Sequence, residues 1–260
     1  SSDGRMLGYL GRRAGEPRVI VRDLATRSAI DIAVADRMSA ISPDGRRIAT
    51  LLEGVLSLRP VAGGDARQLT VAGGMRYLWD WPRPTLVTGS RSGDAGVTAI
   101  AVNLETGAAT PILDSPGAKF LGHARLSPDG KWMSLMNWTS ADRGGVVVVP
   151  YDGVTAARAD QIVPITDGEA VAEESAWSAD GNTLYVVSET DGYRCIWSRR
   201  LDPATRRPVG PLTPEAHFHR ARLQIASTDA SPQRLDMSPD GLVFAMAERH
   251  GNIWMATVKK

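Results

Sequence analysis

The chain holds a single cysteine, Cys195, which excludes an internal disulfide and a zinc site built from cysteines. A lone thiol fits the cytosol and an extracytoplasmic, membrane-anchored setting equally well, so the compartment stays open. Charge of one sign is also missing. Thirty Lys and Arg oppose 29 Asp and Glu, a formal net charge of +1, so nucleic acid and acidic membrane surfaces are not expected partners. No apolar run approaches the ~18 residues that cross a bilayer. Ser1 to Arg5 lacks the basic and apolar regions of a signal peptide, so the segment is expected to be soluble, with no direct membrane insertion. Helical periodicity is absent as well. Aromatic residues make up only 6%, but seven of them are tryptophans, and most of these fall at repeated places.

What the sequence has in quantity is a repeat. Ser-Ser-Asp-Gly stands at Ser1 to Gly4, Ser-Pro-Asp-Gly at Ser42 to Gly45, Ser127 to Gly130 and Ser238 to Gly241, and Ser-Ala-Asp-Gly at Ser178 to Gly181. A degenerate copy lies in the double-length gap, where residues 79–86 align without a gap on residues 177–184. Each tetrapeptide is a turn: Pro presets φ, Asp accepts hydrogen bonds from nearby N–H groups, and Gly takes a positive φ. Short apolar runs follow, such as residues 48–52, 132–136 and 184–187, then a Gly-containing turn and a second run, such as 97–102, 146–149 and 195–197. A third run and the segment before each turn bring the count to four strands per unit.

Units of about 40 residues with four antiparallel strands read as an all-β chain, a β-propeller of about six four-stranded blades in a single domain, 1–260. The approximate blades are 1–36, 37–73, 74–118, 119–168, 169–216 and 217–260. The first copy lacks its innermost strand and the last stops early. Seven blades are open to the chain if strands are supplied from outside it or by the insertion at His217 to Ser231. Large side chains at matching places, Trp79 with Trp177 and Trp197 with Trp254, are expected between blades.

Ser-Pro-Asp-Gly, an apolar strand, an Ile-Trp strand and a terminal Leu-Thr together resemble the TolB-type propeller repeat over almost the whole chain. The stretch from Asp191 to Trp197, continued through Arg200 to Pro211, His217-Phe218-His219 and Gly251 to Met255, looks like the C-terminal propeller of certain bacterial serine/threonine protein kinases. That resemblance implies a sensory or protein-interaction module and no chemistry.

The turn aspartates Asp3, Asp44, Asp129, Asp180 and Asp240 are spread one per blade and cannot converge on one ion, so they read as turn caps. His217 and His219 alternate across Phe218 and share a strand face, but no third ligand is evident nearby, and a surface or interface role is expected. Gly89 to Gly93 has Arg91 where the nucleophile of a hydrolase elbow would stand, and is expected in a turn. With no phosphate-binding Gly-rich loop and no paired-His zinc-peptidase motif, neither catalysis, metal nor cofactor is expected. The remaining candidate is the axial funnel, where Arg37, Arg76, His123, Arg125, Glu173, Glu174, Arg234 and Asp236 stand on or before innermost strands. Mixed charges there suit a protein, peptide or small polar ligand. The alternatives are the gating propeller of a prolyl-oligopeptidase-type peptidase, whose repeats look similar, and a metal-dependent propeller lyase or lactonase.

Overall fold

The computed structural model describes residues 1–34, 38–94, 96–115, 117–140, 144–168, 170–219, 223–225 and 235–248. The first sheet has three antiparallel strands, β1 (Met6–Arg13), β2 (Glu16–Asp23) and β3 (Ala29–Val34). The second runs β4 (Met38–Ile41), β5 (Arg47–Leu52), β6 (Val55–Pro60) and β7 (Arg67–Leu69), and the third β8 (Tyr77–Arg83), β9 (Leu86–Gly93), β10 (Gly96–Asn103) and β11 (Ala109–Pro111). A short strand, β12 (Leu113–Asp114), leads to β13 (Phe120–Leu126), β14 (Trp132–Trp138) and β15 (Gly144–Pro150); β16 (Ala157–Arg158) pairs with β12, β17 (Val163–Pro164) with β15, and a single parallel pairing of Val97 in β10 with Phe120 in β13 joins this blade to the preceding one in an eight-stranded sheet. Next come β18 (Ala172–Trp177), β19 (Thr183–Ser188), β20 (Cys195–Arg200) and β21 (Thr213–Ala216), in that order across their sheet. The last described strands are β22 (Leu223–Ile225), β23 (Leu235–Ser238), β24 (Gly241–Phe244) and β25 (Met246–Glu248), with β23 on β24 and β22 on β25. Strand β22 thus falls inside the expected insertion and pairs with the chain after the final turn. Among the described residues the helical structure is one 3-10 turn, Ala159–Gln161.

Period-2 alternation explains why the sheets stack. Along β10, Ile100 and Val102 pack toward the β4–β7 sheet, while Ala99 and Ala101 pack toward the β13–β15 sheet. Along β15, Val147 and Val149 join that second cluster, and Val146 and Val148 meet Trp177, Leu184 and Val186 of the next sheet. Along β20, Cys195 and Trp197 face backward, and Ile196 faces Ile225 and Leu235. These three strands are therefore apolar on both faces, and each of the clusters they fill joins two neighbouring blades. That is the packing of a propeller, in which no blade has a core of its own.

The repeated turns share one hydrogen-bond pattern. Ser42 Oγ donates to Asp44 Oδ1 at 2.6 Å, that oxygen accepts from Arg46 N–H, and Ser42 Oγ accepts from Arg47 N–H. The same three bonds recur around Ser1 and Asp3, Ser127 and Asp129, and Ser178 and Asp180. Each of these carboxyls is held below its ordinary range; hydrogen bonds from the partner Ser and the backbone win over desolvation. The turn at Ser238 departs, because Ser238 pairs directly with Gly241 and its Oγ donates to Gly241 O. The degenerate copy departs further. Trp177 pairs with Leu184, whereas Leu86 pairs with Arg83 across Pro84 and Thr85, so Trp79 is not the counterpart of Trp177. Without the Ser, Asp and Gly the six-residue turn cannot be capped, and the strand runs on into a two-residue link. Trp254 and the segment 249–260 lie outside the described residues.

Turns of successive blades touch in sequence. Ser2 N–H donates to Pro43 O, Arg83 Nη2 to Gly130 O, and Arg206 bridges Asp129 and Gly181. Gly4 lies against Pro239, where a β-carbon would come within 2.9 Å of the ring, so the first turn meets the last one described.

Candidate functional site

Three innermost strands carry a bulge. The ladder slips between Leu78 and Asp80 in β8, between Gly122 and Arg125 in β13, and between Ala172 and Ser175 in β18. A bulge re-aims side chains and frees ladder carbonyls, which must find new donors when buried. They do so from neighbouring blades. Thr88 Oγ1 donates to Ala124 O at 2.7 Å, Ser90 Oγ to Leu121 O at 2.8 Å, and Trp177 Nε1 to Arg125 O at 3.2 Å. His123, inside the β13 bulge, adopts φ 52°, a left-handed conformation costing about 1 kcal/mol or more for such a residue. Its ring stacks on Trp79 with centroids 4.1 Å apart.

The re-aimed side chains converge on Arg125. The Arg125 side chain is 9% exposed; Nη1 stands 3.2 Å from Asp80 Oδ1 and 3.5 Å from Asp236 Oδ1, and Nη2 donates to Leu235 O at 2.9 Å. Glu174, 2% exposed, accepts from Leu235 N–H at 3.0 Å and lies 3.8 Å from His123 Nδ1. Desolvation alone would lower the Arg125 pKa, but Asp236, Asp80 and Glu174 more than reverse it and raise it. Burial raises the Asp80 carboxyl above its ordinary range, with Asp236 adding to the rise and Arg125 opposing it. Among the described residues the set holds three carboxylates and one guanidinium, with the Ser1 ammonium close enough to act on Asp236 and Asp80, and Asp236, 63% exposed at its side chain, faces solvent.

Of the residues expected at the funnel, His123, Arg125, Glu174 and Asp236 come together. Glu173 points elsewhere and pairs with Arg194 at 3.2 Å, because the bulge between Ala172 and Ser175 turns the two adjacent glutamates apart. Arg76 lies outside the set on an exposed surface, its guanidinium over Tyr77 and bonded to Ser92 Oγ at 3.0 Å. Arg37 and Arg234 lie outside the described residues. Asp80 was not anticipated. Its signal was an acid between Trp79 and Trp81 in the one copy lacking the turn motif.

Two further expectations are corrected. Residues 89–93 end strand β9 instead of forming a turn, and Ser90 is buried, accepting from Trp79 Nε1 at 2.7 Å. His217 and His219 do have neighbouring ligand-type groups: Asp191, on the β19–β20 turn, and Cys195, at the start of β20, place a carboxylate oxygen and Sγ so that all four ligand atoms lie within 4.8 Å of one another. The hairpin brings in residues that the chain separates by more than twenty positions. Hydrogen bonds from His219 and Tyr193 N–H overcome desolvation and lower the Asp191 pKa, while burial pushes the Cys195 thiol up.

No protein-family model matches the chain, and no curated protein matches it in sequence. Solved structures do. The chain is similar to a TolB assigned in Agrobacterium tumefaciens, with TM-score 0.69 and 20% identity over 96% of this chain and 88% of that one. TolB from Acinetobacter baumannii gives TM-score 0.63 and 14% identity over 82% and 54%. A Mycobacterium tuberculosis puromycin-hydrolyzing peptidase gives TM-score 0.64 and 16% identity over 95% and 43%. The chain thus spans about half the length of the Acinetobacter protein and less of the peptidase. The likeness is one of fold: this is a TolB-like β-propeller. No helix among the described residues is long and apolar enough to cross a membrane.

Proposed function

We propose that this propeller is a non-catalytic binding module, part of a larger signalling protein, and that its axial mouth takes a protein segment, peptide or small polar ligand through a cationic group. The observation that carries this reading is the set of three bulges on consecutive innermost strands, which aim Asp80, Arg125 and Glu174 at one place beside Asp236. Bulged, strained backbone gathered beside buried charge is the pattern of a site and not of plain packing. The acid excess favours a positive group, and the exposed Asp236 carboxylate is its first contact. Calorimetric titration of the chain with a panel of short basic, neutral and acidic peptides tests this. Saturable binding of basic members, weakened about tenfold in Asp236→Asn at unchanged melting temperature, is the expected result. Indifference of binding to that substitution, or preference for acidic peptides, refutes it.

A second reading is the gating propeller of a peptidase, favoured by the match to 43% of the mycobacterial enzyme. The encoded sequence flanking these 260 residues separates the two. An α/β-hydrolase domain downstream supports gating, and a kinase or other signalling domain upstream supports sensing.

A further inference from the structure

We infer that Asp191, Cys195, His217 and His219 form a zinc-type divalent-cation site, separate from the axial set. Three of the four ligand atoms make a nearly equilateral triangle. His219 Nε2 lies 2.8 Å from Asp191 Oδ2, His217 Nδ1 lies 3.0 Å from the same oxygen, and the two ring nitrogens are 3.0 Å apart. Protons alone cannot satisfy such a triangle. If both nitrogens carry hydrogen, the carboxylate is served twice but two N–H groups confront each other. If only one does, the other nitrogen turns a lone pair toward the carboxylate. A cation at the centre satisfies all three edges at once. Bonds of 2.0–2.1 Å in tetrahedral geometry place ligand atoms about 3.3 Å apart, a few tenths of an ångström wider than the triangle seen.

The groups around the triangle hold it in place, as supporting contacts do in metal sites. Tyr193 N–H donates to Asp191 Oδ1 at 3.2 Å, which leaves Oδ2 for the centre. The Tyr193 ring stacks on His219 at 4.4 Å, and the Trp197 ring meets His217 edge-on at 5.2 Å. Cys195 Sγ is the fourth ligand; Phe218 N–H already donates to it at 3.4 Å. An N–S edge in such a site is about 3.6 Å, so the sulfur closes by about 1 Å at most. Two imidazoles, a carboxylate and a thiol suit zinc and disfavour magnesium or calcium, which take oxygen ligands. A bound ion would tie the β19–β20 hairpin to the chain leaving β21, joining one blade to the segment that enters the next.

The test uses the 260-residue chain without a histidine tag, stripped with chelator, desalted, and titrated with zinc chloride by calorimetry. One zinc per chain is expected, with a rise in melting temperature. His219→Gln and Asp191→Asn, both at solvent-facing positions, each weaken binding by about tenfold or more, with circular dichroism unchanged. Cobalt(II) in the wild type gives a thiolate-to-metal charge-transfer band that Cys195→Ser abolishes. Failure of the wild-type chain to bind zinc saturably, or wild-type affinity in both variants, overturns the site. Lack of the charge-transfer band overturns the assignment of Cys195.

Discussion

Arg206 offers a way to separate backbone strain from side-chain bonding at a blade junction. It is 4% exposed, sits at φ 56°, and reaches from the β20–β21 turn to two others. Nη2 donates to Asp129 Oδ2 at 3.0 Å, Nη1 to Asn182 Oδ1 at 3.1 Å and also to Gly181 O, and the guanidinium lies 5.9 Å from the Trp177 ring. A charge-assisted bond is worth about 1.5–3 kcal/mol; the Asp129 side chain is 37% exposed, so the lower end applies. The bonds to the uncharged acceptors Gly181 O and Asn182 Oδ1, together with lost packing, bring Arg206→Ala to about 3 kcal/mol. Alanine keeps the left-handed strain, whereas glycine removes about 1 kcal/mol of it, so Arg206→Gly costs about 2 kcal/mol. For a domain of this size these values lower the melting temperature by roughly 6–12 °C and 4–8 °C. Arg206→Lys fares little better than alanine, since one ammonium cannot serve three acceptors in a plane. Denaturant unfolding of the variants, and a double-mutant cycle with Asp129→Ala, measure the terms; a coupling of about 1–2 kcal/mol is expected. A glycine variant no more stable than the alanine variant refutes the strain argument. An alanine variant within about 0.5 kcal/mol of wild type refutes the bridging role.

Acid should unfold the chain through its turns. Asp3, Asp44, Asp129 and Asp180 have folded-state pKa values below the ordinary value of 3.8, so their contribution is present above it and is lost as pH falls through the lowered values. Asp80 is raised and works in the opposite sense, so urea midpoints followed from pH 7 into strong acid should fall more steeply in Asp80→Asn than in wild type. Among the glycines, Gly107→Ala should cost more than about 2 kcal/mol, because a β-carbon at φ 75° would press on Thr70 O, whereas Gly153→Ala, at φ 83° in open space, should cost about 1 kcal/mol. Equal melting temperatures for the two variants would contradict the close approach at Gly107.

The fold was legible because its determinants are local and repeated. Ser, Asp and Gly at fixed spacing specify a turn whose three bonds lie within six residues, and apolar runs such as Val146 to Val149 fill both faces of a strand wherever they occur. Where the motif decays, spacing misleads. Residues 79–86 match 177–184 by Trp and Leu, yet the turn that sets the register at Ser178 has no equivalent there, so the ladder shifts and Asp80 meets Arg125.

The sites were less legible because their determinants are not local. Glu173 and Glu174 are indistinguishable as adjacent letters, and only the bulge between Ala172 and Ser175 decides which one turns inward to Leu235 and which pairs with Arg194. The spacing of His217 and His219 was visible, but their partners enter through a hairpin, and Asp191 and Cys195 carry no mark in sequence to connect them with histidines beyond β21. Both arrangements arise where one blade's irregularity is completed by another blade. A bulged strand exposes carbonyls that a neighbouring sheet must serve, and a hairpin tip presents groups that only the next connection can meet. Function in such a ring is therefore to be sought at departures from the repeat, and among the described residues Asp80 and His123, in one set, and the Asp191 cluster, in another, stand where polar groups converge.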